Sequence, residues 1–368
     1  MSRAREFADL AGPADAGGIT GRNLVINGSM QVNQRNADAT GTNYNTDRFK
    51  QEKDGGTCTF SWETLSSGSP YDEGFRRFSR MTNTATASGA GNYRQFRHAI
   101  EAQNVATSGW DYTNPNSFIT VSFWVRSSVG GKYTFTFQTE DGTDKLYNFS
   151  RTLVANTWTK VTETVPGHAD LQFDNDSGNG LMLHFRIWLG SNYTSATSED
   201  AWVTYAASTI SESGIANWAG TTNSTYDITG VQIEVGEKAT PFEHLSFGDE
   251  LARCQRYYEK SYAYSVGAGT AASYPGNIGL TVRGMDEETS GQRYITQTMR
   301  VEKRGSPTNT FYDDAGNSGK VTTFDSGGTP TNNVSIGLVV AQNSMIGCGP
   351  GNSAIWGFAF FYESDAEL

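Results

Sequence analysis

Hydrophobic and polar residues alternate with a period of two along most of this chain. In KYTFTFQT, Tyr133, Phe135 and Phe137 share one face, while Lys132, Thr134, Thr136 and Gln138 share the other. LMLHFRIWL repeats the pattern: Leu181, Leu183, Phe185, Ile187 and Leu189 face one way, and Met182, His184, Arg186 and Trp188 the other. Such alternation marks antiparallel strands with one buried face. NLVINGSMQV, TDRFKQEK, TCTFSWETL, YRQFRHAIEA, SFITVSFWVRSS and WTKVTETV also read as strands, separated by Asn, Gly, Asp and Ser turn signals. Together they predict a sandwich or jelly roll for a first large domain that closes at YDITGVQIEV.

Two helical signals break this pattern. SRAREFADLAG sets Ala4, Phe7 and Leu10 along one side, with Gly12-Pro13 as a stop, so residues 1–22 read as a short helix and linker. So short a helix is marginal alone and must dock on copies of itself or on a partner. The second signal spans 246–262. Pro241 ends ladder pairing before it, Ser246 and Asp249 have capping-box spacing, and Asp249 and Glu250 sit where the helix dipole favours acids. Leu251, Cys254, Tyr258 and Tyr262 then form a narrow stripe, suited to packing on its own domain or to a subunit interface. Beyond it, NIGLTVRGM, RYITQTMRVEK, NTFYDD, KVTTFDS, NNVSIGLVVAQ and AIWGFAFFYES predict a second, smaller β-sandwich over 263–368.

Composition agrees with an all-β chain: 41 Gly, 9 Pro, 12% aromatic and only 18% charged residues. A net charge of −11 argues against nucleic acid or anionic lipid as a partner. Cys58, Cys254 and Cys348 form neither a disulfide framework nor a metal-binding pair, which suits a reducing cytoplasm. The apolar run at 354–362 is too short to span a bilayer, and the N-terminus lacks the apolar core of a signal peptide, so no membrane insertion is expected.

No catalytic constellation emerges. The four histidines lack metal-ligand spacing, and nucleophile-elbow, P-loop and dinucleotide motifs are missing. The candidate carboxylate pairs, Asp313-Asp314, Glu287-Glu288 and Asp174/Asp176, fall in turn-like segments. The chain is therefore read as non-enzymatic, with no cofactor and no metal. One arrangement remains: Trp124 and Arg126 point away from the Val121/Phe123/Val125 face, and His184, Arg186 and Trp188 point away from theirs. If the two strands are neighbours, one sheet face carries two indoles among polar groups, a surface on which sugar rings stack.

GRNLVINGSMQVNQR, TDRFK, ITGVQIEVGEKATPFEHLSFGDELARCQRYYEKSY and the terminal ESDAEL resemble tail-fibre-like, receptor-binding structural proteins of bacteriophages and prophages. The VQIEVG, ATPFEH and ELARCQRYY block is the specific part, and NLVINGSM is shared with jelly-roll carbohydrate-binding modules. The resemblance implies a carbohydrate-binding-module-like jelly roll over 23–245 and a distal, adhesin-like C-terminal domain. It also implies a homotrimer, docking on other virion proteins through the N-terminus, a host surface glycan as ligand, and a place on the virion after synthesis in the host bacterial cytoplasm. Such modules often hold calcium after their NG-x-F segment and beside the closing strand. Met30-Gln31 and Thr229-Gly230 occupy those places, so no ion is assigned. The alternative readings are a capsid decoration, head fibre or tail adaptor, or a depolymerase tailspike; the last usually carries a repeating β-helix, which this sequence lacks.

Overall fold

The computed structural model describes residues 21–36, 43–196, 199–271, 278–281, 295–325, 327–351 and 357–368; the expected helix bearing Ala4, Phe7 and Leu10 lies outside them. The chain divides into two compact units, one of Met1–Asn33 with Asp38–Phe247, the other of Gln34–Ala37 with Gly248–Leu368. Both are built from β-strands, as the alternation predicts.

In the first unit the strands are β1 (Asn43–Thr46), β2 (Phe49–Asp54), β3 (Thr57–Thr64), β4 (Arg77–Ala85), β5 (Tyr93–Glu101), β6 (Phe118–Ser127), β7 (Gly131–Thr139), β8 (Lys145–Leu153), β9 (Thr159–Pro166), β10 (Asn179–Leu189), β11 (Trp202–Thr204) and β12 (Thr225–Val235). Two short helices, α1 (Ser69–Asp72) and α2 (Ala102–Ala106), lie between strands. The strands form two sheets, ordered β1-β2-β5-β10-β7-β8-β11 and β3-β4-β12-β6-β9, a jelly-roll sandwich with antiparallel pairing. Tyr133, Phe135 and Phe137 of β7 and Leu181, Leu183 and Phe185 of β10 turn inward and meet Val121, Phe123 and Val125 of β6. Ring contacts join the sheets: the Phe123 centroid lies 4.8 Å from Phe135 and 4.9 Å from Phe185. Each such side chain, moved from water to the core, contributes about 2–3 kcal/mol.

Asn23–Val32, expected as a strand, is instead an irregular buried segment. Asn27 and Met30 adopt left-handed backbones (φ 62° and 57°), which ends ladder geometry. The Asn27 amide substitutes for a ladder: it donates to the carbonyls of Val32 (2.8 Å) and Asp47 (2.9 Å) and accepts from the Val32 amide (2.9 Å). Gly28 lies against β12, where its carbonyl accepts from the Val231 amide at 2.9 Å.

In the second unit, helix α3 (Phe247–Gln255) starts directly after Ser246, as the capping spacing predicts, but ends seven residues short of Tyr262. Next come β13 (Tyr258–Lys260), β14 (Ile278–Thr281), β15 (Ile295–Thr298), β16 (Thr308–Tyr312), β17 (Lys320–Phe324), β18 (Pro330–Ala341), β19 (Met345–Pro350) and β20 (Gly357–Asp365). The expected stripe is thereby corrected. Leu251 and Cys254 lie on the helix, Tyr258 lies on a strand paired with β20, and Tyr262 follows it. Cys254, Tyr258 and Tyr262 are buried within the chain; Tyr262 stacks on Phe361 at 4.4 Å, and the Tyr258 hydroxyl donates to Glu363 at 2.8 Å. Tyrosine's preference for a pleated, half-buried surface prevails over continued helix. β20 is the hub of this unit. Residues 357–360 pair with β14 and β17, and residues 361–365 pair with β16 and β13. Met299, Phe311, Val321, Ile346, Cys348, Phe358, Phe360 and Tyr362 form its core.

A methyl group on Gly28 would lie 2.0 Å from the Val231 carbonyl oxygen, a fixed backbone atom. Gly28→Ala is expected to destabilise the first unit by roughly 3 kcal/mol. Gly109→Ala, at φ 86° with open space around it, should cost only about 1 kcal/mol. Seven of the eight tryptophans lie in the first unit, so urea unfolding followed by tryptophan fluorescence checks both values.

Candidate functional site

Alternation fixes what the five-stranded sheet shows to the outside. Cys58, Phe60, Met81, Phe123, Val125, Tyr226 and Ile228 turn into the core, so the positions between them point away from it. Strand register arranges these in rows. One row runs Ser61, Arg80, Asp227 and Arg126 across β3, β4, β12 and β6. Beside it, Thr229, Trp124 and Lys160 run across β12, β6 and β9.

The first row centres on a carboxylate with no solvent exposure. Asp227 accepts from Arg80 Nε (2.7 Å) and Nη2 (3.0 Å) and from Arg126 Nε (2.8 Å), with Arg126 Nη2 paired to it at 2.7 Å. Its hydrogen bonds push the Arg80 guanidinium further up from its ordinary range. Both arginines remain about a quarter exposed, with side-chain accessibilities of 28% and 27%. Aromatic rings hold them in place. Arg126 lies 4.6 Å from the Trp158 ring centre, and Phe78 meets Trp158 edge-on at 5.6 Å.

The second row leads into a cleft. Trp124 is covered by Leu65, Phe75 and Phe78, with Tyr71, Trp158 and Phe242 packed against them. Its indole donates to Glu73 at 3.0 Å, and Lys160 donates to both oxygens of the same carboxylate at 3.0 and 3.1 Å. Pro241, Phe242 and His244 then line a cleft of about 580 Å³, together with Glu73, Lys160, Thr162 and Thr240. His244 packs on Phe242 (4.9 Å) and Phe75 (5.2 Å), and its Nε2 lies 3.0 Å from the Glu73 carbonyl oxygen. An apolar floor with hydroxyl, ammonium and carboxylate groups at the rim can take a ring whose faces are C–H and whose edges are hydroxyl.

The sequence placed Trp124 and Arg126 outward, and they are. Their expected union with His184, Arg186 and Trp188 does not form, because β6 and β10 belong to different sheets. His184 and Arg186 lie on the far face of the seven-stranded sheet in adjacent rows, one of Lys50, Arg97, His184, Thr136 and Asn148, the other of Glu52, Gln95, Arg186, Thr134 and Ser150. There they are buried, and residues 199–216 cover this face, with the Thr209 carbonyl accepting from Asn148 at 3.0 Å and Ser211 bonding Thr134 at 2.6 Å. Burial brings Arg186 down to about 10, and it holds His184 well below the usual histidine range, with the Arg186 and Arg97 charges acting the same way. Neither His184 ring nitrogen has a hydrogen-bond partner among the described residues. Trp188 is turned the other way by a bulge: pairing with β5 shifts between Arg186 and Trp188, so Ile187 and Trp188 both join the core while Leu189 packs outside with Leu146 and Ile210.

Sequence reasoning missed Arg80, Asp227, Phe78, Trp158 and the cleft residues. One signal was present: an aspartate between the core residues Tyr226 and Ile228 must find cationic partners. Among the described residues, no group of three or more His, Cys, Asp or Glu is placed to hold a metal ion.

No family model and no curated protein matches the chain. Among solved structures it is similar to the enzymatically active domain of tailspike protein 4 of bacteriophage CBA120, at 11% identity and a TM-score of 0.32, over 58% of this chain and 21% of that one. It is also similar to a family 11 carbohydrate-binding module from Clostridium thermocellum, in complex with a β-1,3-1,4-mixed-linked tetrasaccharide (12% identity, TM-score 0.26, 54% of this chain and 91% of that one). A further similar structure is the N-terminal cellulose-binding domain of β-1,4-glucanase C from Cellulomonas fimi (10%, 0.26, 44% and 80%).

Because His184 is kept neutral in the fold while the unfolded chain takes up a proton near pH 6.5, the unfolded state binds more protons below that pH. Stability that is fully present above pH 6.5 is therefore expected to fall as the solution is acidified. His184→Gln should lose less of its urea midpoint than the native protein between pH 7.5 and pH 5. Equal losses would show that His184 does not carry this dependence.

Proposed function

We propose that the first unit binds a glycan in the cleft beside Trp124, and that the protein is a non-enzymatic, trimeric fibre component of a bacteriophage particle that adheres to its host. The observation that carries the glycan reading is the cleft itself: Pro241, Phe242 and His244 offer an apolar floor, while Lys160, Thr162, Thr240 and Glu73 supply polar groups at its rim. Its volume of about 580 Å³ falls within the range of small-molecule sites. Among the described residues the only carboxylate lining it, Glu73, is tied by both oxygens to Lys160 and by one to Trp124. Glycosidases need a pair of carboxylates flanking the bond they cut, so this cleft suits holding a sugar better than hydrolysing it.

The fibre part of the proposal rests on the resemblance of the VQIEVG, ATPFEH and ELARCQRYY block to phage receptor-binding proteins. A shallow sugar site binds weakly, and linking three copies raises avidity by about 10²–10⁴ without new contacts. That gain gives trimerisation a physical purpose.

Two measurements test this. Thr162 is exposed on the cleft rim, so Thr162→Trp should fill the cleft without disturbing the core. It is expected to weaken binding of host surface polysaccharide about tenfold or more while leaving the unfolding midpoint unchanged; unchanged binding would move the site elsewhere. Light scattering is expected to give three times the 40.0 kDa chain mass. A monomer would remove the avidity argument and favour a decoration protein.

A further inference from the structure

Two arginines flank one buried carboxylate on the outer face of the five-stranded sheet and keep part of their surface in solvent. Asp227 takes Nε and Nη2 of both Arg80 and Arg126. Among the described residues no group bonds the Nη1 of either, and both side chains reach solvent. The pair stands in the row next to Trp124 and Lys160, with Arg126 two residues from Trp124 on β6, so it lies about 7 Å along the strand from the cleft's edge. Glu63, in the next row on β3, also acts on Arg80 through its charge, while on the other side Thr59, Thr82 and Thr225 form an uncharged row, all partly exposed.

Trp158 and Phe78 hold the Arg126 guanidinium rigid on a partly covered face. A guanidinium fixed in this way loses little freedom when it binds, and its planar fork matches a carboxylate. The whole chain carries a net charge of −11, so long-range attraction does not bring an anion here. Recognition must come from short, directional bonds.

We propose that the glycan is acidic, and that Arg80 and Arg126 together receive the carboxylate of a uronic or sialic-type sugar whose neighbouring ring occupies the cleft. This inference rests on the glycan reading above and names its substrate class. Arg80 and Arg126 act as specificity residues: they select the charged sugar, and the cleft holds the ring.

The test uses the full-length protein and immobilised polygalacturonate, polysialic acid and hyaluronate, each beside its carboxyl-reduced form, with dextran as a neutral polymer. At least one acidic polymer is expected to bind about tenfold or more tighter than its reduced form. Arg80→Met leaves Asp227 paired with Arg126 and is expected to bring the two forms to near-equal affinity, whereas Thr162→Trp weakens both. Should Arg80→Met fail to fold, the comparison of acidic and reduced polymers on the native protein still decides. Equal binding of both forms, or binding of dextran and reduced polymers alone, overturns the acidic specificity and leaves the glycan reading standing. Binding to none of them overturns the glycan reading itself.

Discussion

A carboxylate wholly removed from water, Asp227, sits in the middle of the five-stranded sheet, and much of the first unit follows from the need to pair it. Desolvating one such ion costs several kcal/mol unless partners surround it. Its partners come one from each neighbouring strand, Arg80 on β4 and Arg126 on β6, so neutralisation and strand register are a single requirement. A slip of one residue would turn Asp227 inward, toward the place where Tyr226 meets Phe96 and Tyr133, and expose the core residues instead. The guanidinium pair is therefore a structural clamp that also faces solvent, so the proposed binding role falls on residues that the fold already requires.

The two sheets treat their outer faces differently. On the seven-stranded sheet, residues 199–216 cross the polar rows, with the Ala216 amide bonded to the Lys132 carbonyl at 2.8 Å and Ile210 packed on Leu146 and Leu189. On the five-stranded sheet, the segment carrying α1 and the stretch after β12 cover only the Trp124 side, through Phe75 and Phe242. Partial cover makes a cleft where complete cover makes a second core. Gly230 sustains this: at φ 64° it lies at the β12 bulge, and a Cβ there would meet the Phe75 ring at 2.7 Å.

Within-strand periodicity was legible in the sequence, because side-chain direction depends on nearest neighbours alone. It gave the inward faces of β6, β7 and most of β10 and the outward placement of Trp124 and Arg126. Strand order was not legible, since pairing joins residues as distant as Arg80 and Asp227, and so the grouping of Trp124 with His184 failed. The bulge at Ile187 could not be read either, as nothing in LMLHFRIWL distinguishes the residue that loses its partner. β19, MIGCGP, went unnoticed because two glycines and a proline mimic turn composition; its glycines instead let strands approach closely, Gly347 lying against Ile295 and Thr296.

In each unit a strand that comes late in the chain lies between strands that precede it: β12 separates β4 from β6, and β20 joins β13, β14, β16 and β17. During synthesis the earlier strands must therefore wait. Until residue 235 has left the ribosome, β4 and β6 present bare edges where β12 will lie, and until residue 365 does, the partners of β20 have no common strand. Each unit would then close in one late event rather than grow strand by strand, and the interval before closure is when a nascent copy is most open to pairing with its neighbours on the same message.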